Sequence, residues 1–335
     1  MKRVLITGCD GYIGEHLIQK LASERSFSIF GLDLQNKKTT SKYLEEFFYG
    51  DIKNYADLER CIVKVDPEII IDLAANAVVT DESDIYDYRE NFCLPEMILQ
   101  VMKKNSNLSL NRVIFTSSQY VIGPDHSGGN KLGYAPHTIY GISKVIYEQN
   151  IMMIAPDLLD LGIDYFIVRP TNVWGGKHPK YSFMFEGLLK RFLVIIPAKN
   201  IIKSYCHIST LCKLYKKITS FEKQELSFDD RIIYGTDLPM SQDDWLRLQV
   251  FGLRECGFRA GFFKAPIPIL LTLSFMLSLI TRVLGQNNPL PRSRVESMSC
   301  NYIVNLDAPD LLSYNQSYDD LCNEVRKDML GRIGE

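Results

Sequence analysis

Arg3-Val-Leu-Ile-Thr7 runs straight into Gly8-Cys9-Asp10-Gly11-Tyr12-Ile13-Gly14. The first five residues read as a parallel strand buried on both faces, and the residues after the glycines carry the apolar period of a helix reaching about Leu21. A strand, a glycine turn and a helix N-terminus form the setting in which a pyrophosphate is held. Gly8 permits the turn, Gly11 lets backbone N–H groups approach the phosphates, and Gly14 lets helix pack on sheet. The spacing is GxxGxxG, and a tight strand-to-helix turn without a ligand is its other reading. A second strand at 27–33 ends in Asp33, about 20 residues beyond the glycines, where a carboxylate accepts bonds from an adenosine ribose. Asp33 would repel a 2′-phosphate, so the pattern favours NAD over NADP. Lys37 and Lys38 follow closely and could soften that preference.

Further buried strands are expected at 46–50, 68–75, 111–118 and 164–169. The first leads to Asp51, which is placed either to meet an adenine edge or to cap the next helix. The second ends in Leu73, Ala74 and Ala75, small enough at its tip to leave room for a cofactor. The third carries Ser117 and Ser118 to the carboxyl edge of the sheet, the edge where open α/β sheets bind ligands. Helices are expected at 84–104, which carries Asn91, and at 139–162. In the latter Tyr140 and Lys144 stand one turn apart on one face. A tyrosine of pKa about 10 is a poor base at neutral pH. A neighbouring ammonium and the positive ring of an oxidised nicotinamide would favour its phenolate, so that Tyr140 takes a hydroxyl proton as hydride leaves the same carbon. Tyrosine and lysine four residues apart also occur on ordinary exposed helix faces.

The chain has 335 residues, enough for one large domain with a smaller appended lobe. With 38 basic and 40 acidic residues its net charge is −2, which does not suit a nucleic-acid partner. Eight cysteines are scattered without a CxxC pair or a Cys/His cluster of metal-ligand spacing, so no metal is expected and the thiols read as reduced. The N-terminus enters a strand at once without a signal-peptide pattern, and a cytoplasmic location is the expectation. Between Lys264 and Arg282 lie seventeen uncharged residues, mostly apolar and including Pro266 and Pro268. This falls short of a bilayer span of about 20 residues and reads as a buried helix of the second lobe, with peripheral membrane contact as the alternative.

Taken together, Thr7 to Gly14, Asp33, Gly50-Asp51-Ile52, Leu73-Ala74-Ala75, Asn91, Ser117-Ser118-Gln-Tyr-Val-Ile-Gly123, Tyr140-x-x-x-Lys144 and Arg169-Pro-Thr-Asn-Val-Trp-Gly175 occur in one chain order. That combination resembles the extended short-chain dehydrogenase/reductases, in the branch of NAD-dependent nucleotide-sugar epimerases, dehydratases and reductases. The resemblance is close over residues 1–180 and looser over 181–320. It implies an α/β fold, a Rossmann-type doubly wound parallel sheet with a smaller C-terminal substrate-binding lobe. The division would be 1–172 for the NAD-binding domain and 173–330 mainly for the lobe, partly interleaved with the sheet.

It further implies Ser118, Tyr140 and Lys144 as catalytic residues. Cofactor contacts would come from Gly8, Gly11, Tyr12, Ile13, Gly14, Asp33, Asp51, Ile52, Leu73, Ala74, Ala75, Asn91, Tyr140 and Lys144. Asn172 and Lys203 would bind substrate beside Ser118, Lys203 standing where the family usually has a phosphate-binding arginine. His178 is a loop histidine that could add an acid. Gln119-Tyr120 replaces the Asp-Glu pair of sugar dehydratases, which disfavours dehydration. The expected activity is epimerisation of a nucleoside-diphosphate sugar at C4 through a 4-keto intermediate. The alternatives are an NAD(P)-dependent reductase of a 4-ketosugar or other carbonyl substrate, and a non-catalytic NAD-binding protein. A homodimer through the helices near 85–105 and 139–160 is the implied assembly.

Overall fold

The computed structural model describes residues 1–35, 41–78, 84–124, 130–176, 194–222, 224–285, 288, 290, 292–304 and 318–333. Lys37, Lys38 and His178 lie outside the described residues. Seven parallel strands form the central sheet: β1 (Lys2–Thr7), β2 (Phe27–Asp33), β3 (Glu46–Tyr49), β4 (Ile69–Asp72), β5 (Arg112–Thr116), β6 (Asp164–Pro170) and β7 (Ile232–Gly235). Their spatial order is β7-β6-β5-β4-β1-β2-β3. Helices α1 (Tyr12–Ala22), α2 (Tyr55–Val65), α3 (Leu94–Lys104), α4 (Ile139–Asp160) and α5 (Ile208–Thr219) cover its two faces.

The two-residue period of the strands divides the core. Leu5, Ile70, Val113 and Phe115 face α2, α3 and α4 through Leu58, Ile62, Ile98 and Tyr147. Their neighbours Val4, Ile6, Ile71 and Ile114 face α1 and α5 through Leu17, Leu21, Leu211 and Tyr215. Strands covered on both sides need apolar residues at every position, which is why β1 reads as an unbroken run. The strand order reverses between β1 and β4, and their carboxyl ends open there into a crevice.

Three elements differ from the sequence reading. The segment expected as one helix at 84–104 is a 3₁₀ turn at Ile85–Asn91 followed by α3. A capping box between Asp84 and Asp87 starts the first piece and Pro95, in the first turn of α3, starts the second. Strand β7 was not expected. It and α5 return from the second half of the chain to complete the sheet. The apolar segment after Lys264 forms α7 (Ile267–Leu284), which follows α6 (Gln242–Glu255). Only Leu270, Ser274 and Thr281 of α7 are buried, so it is a surface helix and not the buried one expected.

A third core lies beyond the sheet. Trp245 of α6 stacks on Tyr205 with ring centroids 5.0 Å apart. Leu246 and Leu253 pack there with Trp174 and with Leu321, Val325 and Met329. The segments Arg292–Met298 (α8) and Tyr318–Ile333 (α9) end the described chain.

Candidate active site

The crevice begins at the glycine turn. Gly8 has φ +62°, and a Cβ there would lie 2.7 Å from the Ala74 backbone nitrogen, so only glycine lets the β1 turn pass under the end of β4. Gly11 is the N-cap of α1 and offers no side chain to its first turn, leaving that turn's N–H groups for an anion. At the tip of β2, Asp33 accepts from the Asp10 N–H (3.0 Å) and the Leu34 N–H (2.7 Å), so its carboxylate stays at the rim and also fixes the glycine loop. Gly8, Gly11, Asp33, Asp51, Ile52, Leu73, Ala74 and Ala75 line one cleft of about 300 Å³. The capping alternative for Asp51 does not hold: Asn54 caps α2, accepting from the Ala56 N–H at 3.0 Å.

Four residues expected at the cofactor do other work or stand behind the lining. The Tyr12 hydroxyl donates to the Gly175 carbonyl (2.8 Å), tying α1 to the segment after β6. Ile13 packs into the core beneath α1, and Gly14 is buried under the Gly8 turn. Asn91 is 1% exposed and spends its amide on the protein. Its Oδ1 accepts from the Asn76 N–H (2.7 Å), and its Nδ2 donates to the Asn76 carbonyl (2.9 Å) and to Ser143 Oγ (3.0 Å). Asn91 therefore staples the chain after β4 to α4.

Thr138 starts α4, its hydroxyl accepting from the Gly141 N–H at 3.0 Å. Gly141 lies against the Tyr120 carbonyl, where a Cβ could not fit. This close approach brings the Tyr140 hydroxyl beside Ser118. Ser118 also N-caps the turn at Gln119–Val121, so its capping and candidate catalytic roles coexist. Lys144 is 2% exposed and its Nζ donates to the Thr116 carbonyl at 2.9 Å. Burial pushes Tyr140 up to about 12, opposed by the Ser118 hydroxyl and reinforced by Tyr120 and Tyr88. Burial also pulls Lys144 down to about 8, opposed by Asp72 and Glu148. The expectation that Lys144 lowers Tyr140 thus meets a different balance: desolvation dominates the phenol, and the ammonium is engaged with Thr116.

Behind Lys144 lies a buried carboxylate. Asp72 at the tip of β4 accepts from Thr7 Oγ1 (2.6 Å) and from the Tyr147 hydroxyl, and burial raises its pKa. One consequence concerns pH. Lys144 is protonated below about 8 when folded and below its ordinary 10.5 when unfolded. Between those values the unfolded state binds more protons, so its contribution makes stability rise with pH across that window and go flat below it. Comparing denaturant midpoints of wild type and Lys144→Met from pH 7 to 10 should show this rise in the wild type minus variant difference; a flat difference would refute it.

The other side of Tyr140 is aromatic. Tyr120 meets it edge-on at 5.7 Å and Tyr88 lies 6.1 Å away. His137 stacks on Tyr120, and the Tyr302 hydroxyl hydrogen-bonds His137. Sequence reasoning missed Tyr88, His137 and Tyr302. His137 lies three residues before Tyr140, just ahead of the Thr138 cap, and was within reach, whereas nothing local marks Tyr302. Of the residues expected at substrate, Asn172 donates to the Ser204 carbonyl (2.8 Å), pairing Asn172–Trp174 with Tyr205–His207. Lys203 is 8% exposed, and its Nζ donates to the Ser297 carbonyl (2.8 Å). Burial pulls its pKa down to about 8, so in this arrangement its ammonium fastens α8 and does not face an open cleft.

Residues 4–201 match the model of the NAD dependent epimerase/dehydratase family. The chain belongs to that family. Among solved structures, the UDP-glucose 4-epimerase of Thermotoga maritima with UDP-glucose superposes with a TM-score of 0.72 at 16% identity, covering 99% of this chain and 100% of that one. The sterol-4-alpha-carboxylate 3-dehydrogenase, decarboxylating, of Dictyostelium discoideum is 22% identical over 96% of this chain and 100% of its own. A Methanocaldococcus jannaschii protein provisionally named UDP-glucose 4-epimerase is 31% identical over 51% of this chain and 56% of its own.

As a member of this family the protein is an NAD-dependent enzyme, and the cleft fits the cofactor. The Gly8 turn and the open N-terminus of α1 suit a pyrophosphate, and the Asp33 carboxylate has acceptor capacity left for ribose hydroxyls. Asp33→Ala is expected to weaken NAD binding about 10- to 100-fold, the range of a charge-assisted hydrogen bond, and to improve the relative use of NADP. Dissociation constants for the two cofactors test it, and an unchanged ratio would remove Asp33 as the ribose ligand.

Proposed function

We propose that the protein is an NAD-dependent epimerase of a nucleoside-diphosphate sugar, acting at C4 through a 4-keto intermediate. The observation that carries this reading is the placing of Tyr140 beside Ser118, with Lys144 one turn on anchored to the Thr116 carbonyl, at the carboxyl edge of the sheet and beside the cleft that holds Asp33 at its rim. Full-length similarity to the fold of UDP-sugar 4-epimerases supports it. Bound NAD supplies the hydride acceptor for the substrate carbon and, while oxidised, a positive ring that favours the Tyr140 phenolate. Tyr140 takes the proton of the substrate hydroxyl and returns it when the ketone is reduced. Ser118 holds the reacting oxygen, and Lys144, anchored on Thr116, fixes the helix face that presents Tyr140. Assembly as a homodimer through the outer faces of α3 and α4, and the division of the chain at residue 172, are part of the same proposal.

Following the hydride tests it. An epimerase regenerates its cofactor each cycle, so substrate deuterated at C4 keeps its label in ordinary water and no net NADH appears over many turnovers. Stoichiometric gain or loss of NADH per product would overturn the C4 reading. That outcome would support a second reading, a dehydrogenase of a ring-shaped apolar alcohol. The wall of Tyr88, Tyr120, His137 and Tyr302 beside Tyr140 favours it, as does the full-length sterol dehydrogenase relative.

A further inference from the structure

The surface helix α7 has an occupant to be identified. Among the described residues it is the one helix long and apolar enough to cross a membrane by length and composition. Its 18 residues span about 27 Å, somewhat short of a hydrocarbon core of about 30 Å. It is also held along its length. Leu270, Ser274 and Thr281 are buried on one stripe, and Asn288 Nδ2 donates to the Ser274 carbonyl at 3.3 Å. A helix strapped down from its second turn to its last lies flat on the protein.

At 3.6 residues per turn, Phe275, Leu279, Val283, Met276, Ile269, Ile280 and Leu284 follow one another around an arc of about 180°, wider than the stripe of about 100° with which a helix docks on a protein core. Each of these side chains is at least half exposed, and Val283 is 86% exposed. Three of the four hydroxyl groups of the helix bond its own backbone, Thr272 donating to the Pro268 carbonyl (2.9 Å), Ser278 to Phe275 (2.6 Å) and Thr281 to Leu277 (2.8 Å), and the fourth, on Ser274, is buried against the protein. Hydroxyl groups need such bonds in hydrocarbon, where no water replaces them. Phe258 and Phe263, also exposed, extend the apolar surface before the helix.

The charge beside the helix is mainly basic. Residues 256–295 contain Arg259, Lys264, Arg282, Arg292 and Arg294 and no aspartate or glutamate. All five are exposed, but Lys264 pairs with Asp243 (2.9 Å) and Arg292 with Glu296 (2.7 Å), which leaves Arg259 before the helix and Arg282 in its last turn outside those pairs. Cations flanking a broad apolar arc complement a bilayer with anionic headgroups, whereas a second copy of this chain would bring its own Arg259 and Arg282 to the contact.

We propose that α7 docks the protein flat on an anionic lipid surface, with its Phe275–Leu284 arc in the acyl-chain boundary and the flanking arginines at the headgroups. Docking would take place directly behind the substrate side of the site. Helix α8 packs on α7 and receives Lys203 on the Ser297 carbonyl, and Tyr302 beyond it stands in the aromatic wall next to Tyr140. This inference does not depend on which substrate is turned over.

Flotation of the full-length protein with phosphatidylcholine vesicles, with and without phosphatidylglycerol, tests it. Wild type is expected to float with the anionic vesicles and less with the neutral ones. The triple variant Phe275→Ser, Leu279→Ser, Val283→Ser changes only exposed side chains and is expected to cut the floating fraction at least about tenfold. Arg259→Gln with Arg282→Gln is expected to remove the preference for phosphatidylglycerol. NAD affinity, measured alongside, should stay unchanged in both variants, which separates loss of docking from loss of folding or of the proposed chemistry. Wild type that stays down with every vesicle, or a triple variant that floats as well as wild type, overturns the proposal. So does a dimer in solution that the triple variant converts to monomer, since the occupant would then be a second copy.

Discussion

Tyr140→Phe is expected to lower turnover by at least ~10²-fold, the minimum usual for losing a general acid–base group, while NAD affinity stays near that of the wild type. The substitution removes one oxygen and keeps the ring, so the edge-on contact with Tyr120 and the packing against Tyr88 persist. What is lost is the hydroxyl beside Ser118. Burial pushes Tyr140 up to about 12, so taking the first proton depends on the positive ring of oxidised NAD favouring its phenolate, and the phenol then formed returns the proton to the ketone. Ser118→Ala should impair the reaction as well, by removing the hydroxyl proposed to hold the reacting oxygen beside Tyr140. Steady-state turnover of the substrate that the wild type converts, with cofactor affinity measured separately, decides the matter. Near-normal turnover in Tyr140→Phe would take that residue out of the chemistry.

Glu148→Ala is expected to cost about 3–5 kcal/mol of stability, the range for removing one partner of a buried ion pair. Glu148 on α4 and Arg169 on β6 have fully buried side chains. They meet through two parallel bonds, Nε to Oε1 at 2.8 Å and Nη2 to Oε2 at 2.5 Å. Tyr134 donates to the same carboxylate, and Arg169 also donates to the Tyr234 hydroxyl and the Lys131 carbonyl. Without Glu148 a guanidinium stays in the core with no counter-charge. Against a total stability of about 5–15 kcal/mol the loss is severe. It would also free the helix that carries Tyr140 and Lys144 from the sheet. The double variant Glu148→Leu with Arg169→Met removes both charges and is expected to recover most of the loss. Urea denaturation midpoints measure both, and a single-variant cost below about 1 kcal/mol would show that the pair does not brace α4.

The readability of individual residues follows the range of the forces that set them. Gly8 and Asp33 were legible because a turn and a strand end are local and their chemistry is spaced along the chain. The break at Phe92–Cys93 was less so, since the apolar period runs through it and only Pro95 and the Asp84–Asp87 box mark two pieces. Arg169 stood in a motif, but its partner Glu148 lies 21 residues earlier on another element. Nothing in the spacing announced that pair.

The doubly wound order and the meeting of Ser118 with Tyr140 were what the family resemblance implied; the alternating strands and helices, the glycine turn, the acidic end of β2 and Ser118 at the carboxyl edge came from the sequence pattern itself. These follow from periodicity, from glycine's backbone freedom and from parallel strands ending on the same side. The tertiary structure alone decided where each polar atom is spent. Lys144 goes to Thr116, Lys203 to Ser297 and Asn91 to Asn76 and Ser143, because a buried donor must find an acceptor among neighbours that the linear order does not name. It also decided that α7 lies outside. An apolar run of seventeen residues looks the same whether a core or a bilayer covers it. Only the packing of the remaining chain shows that one stripe of that helix was used and the rest left exposed.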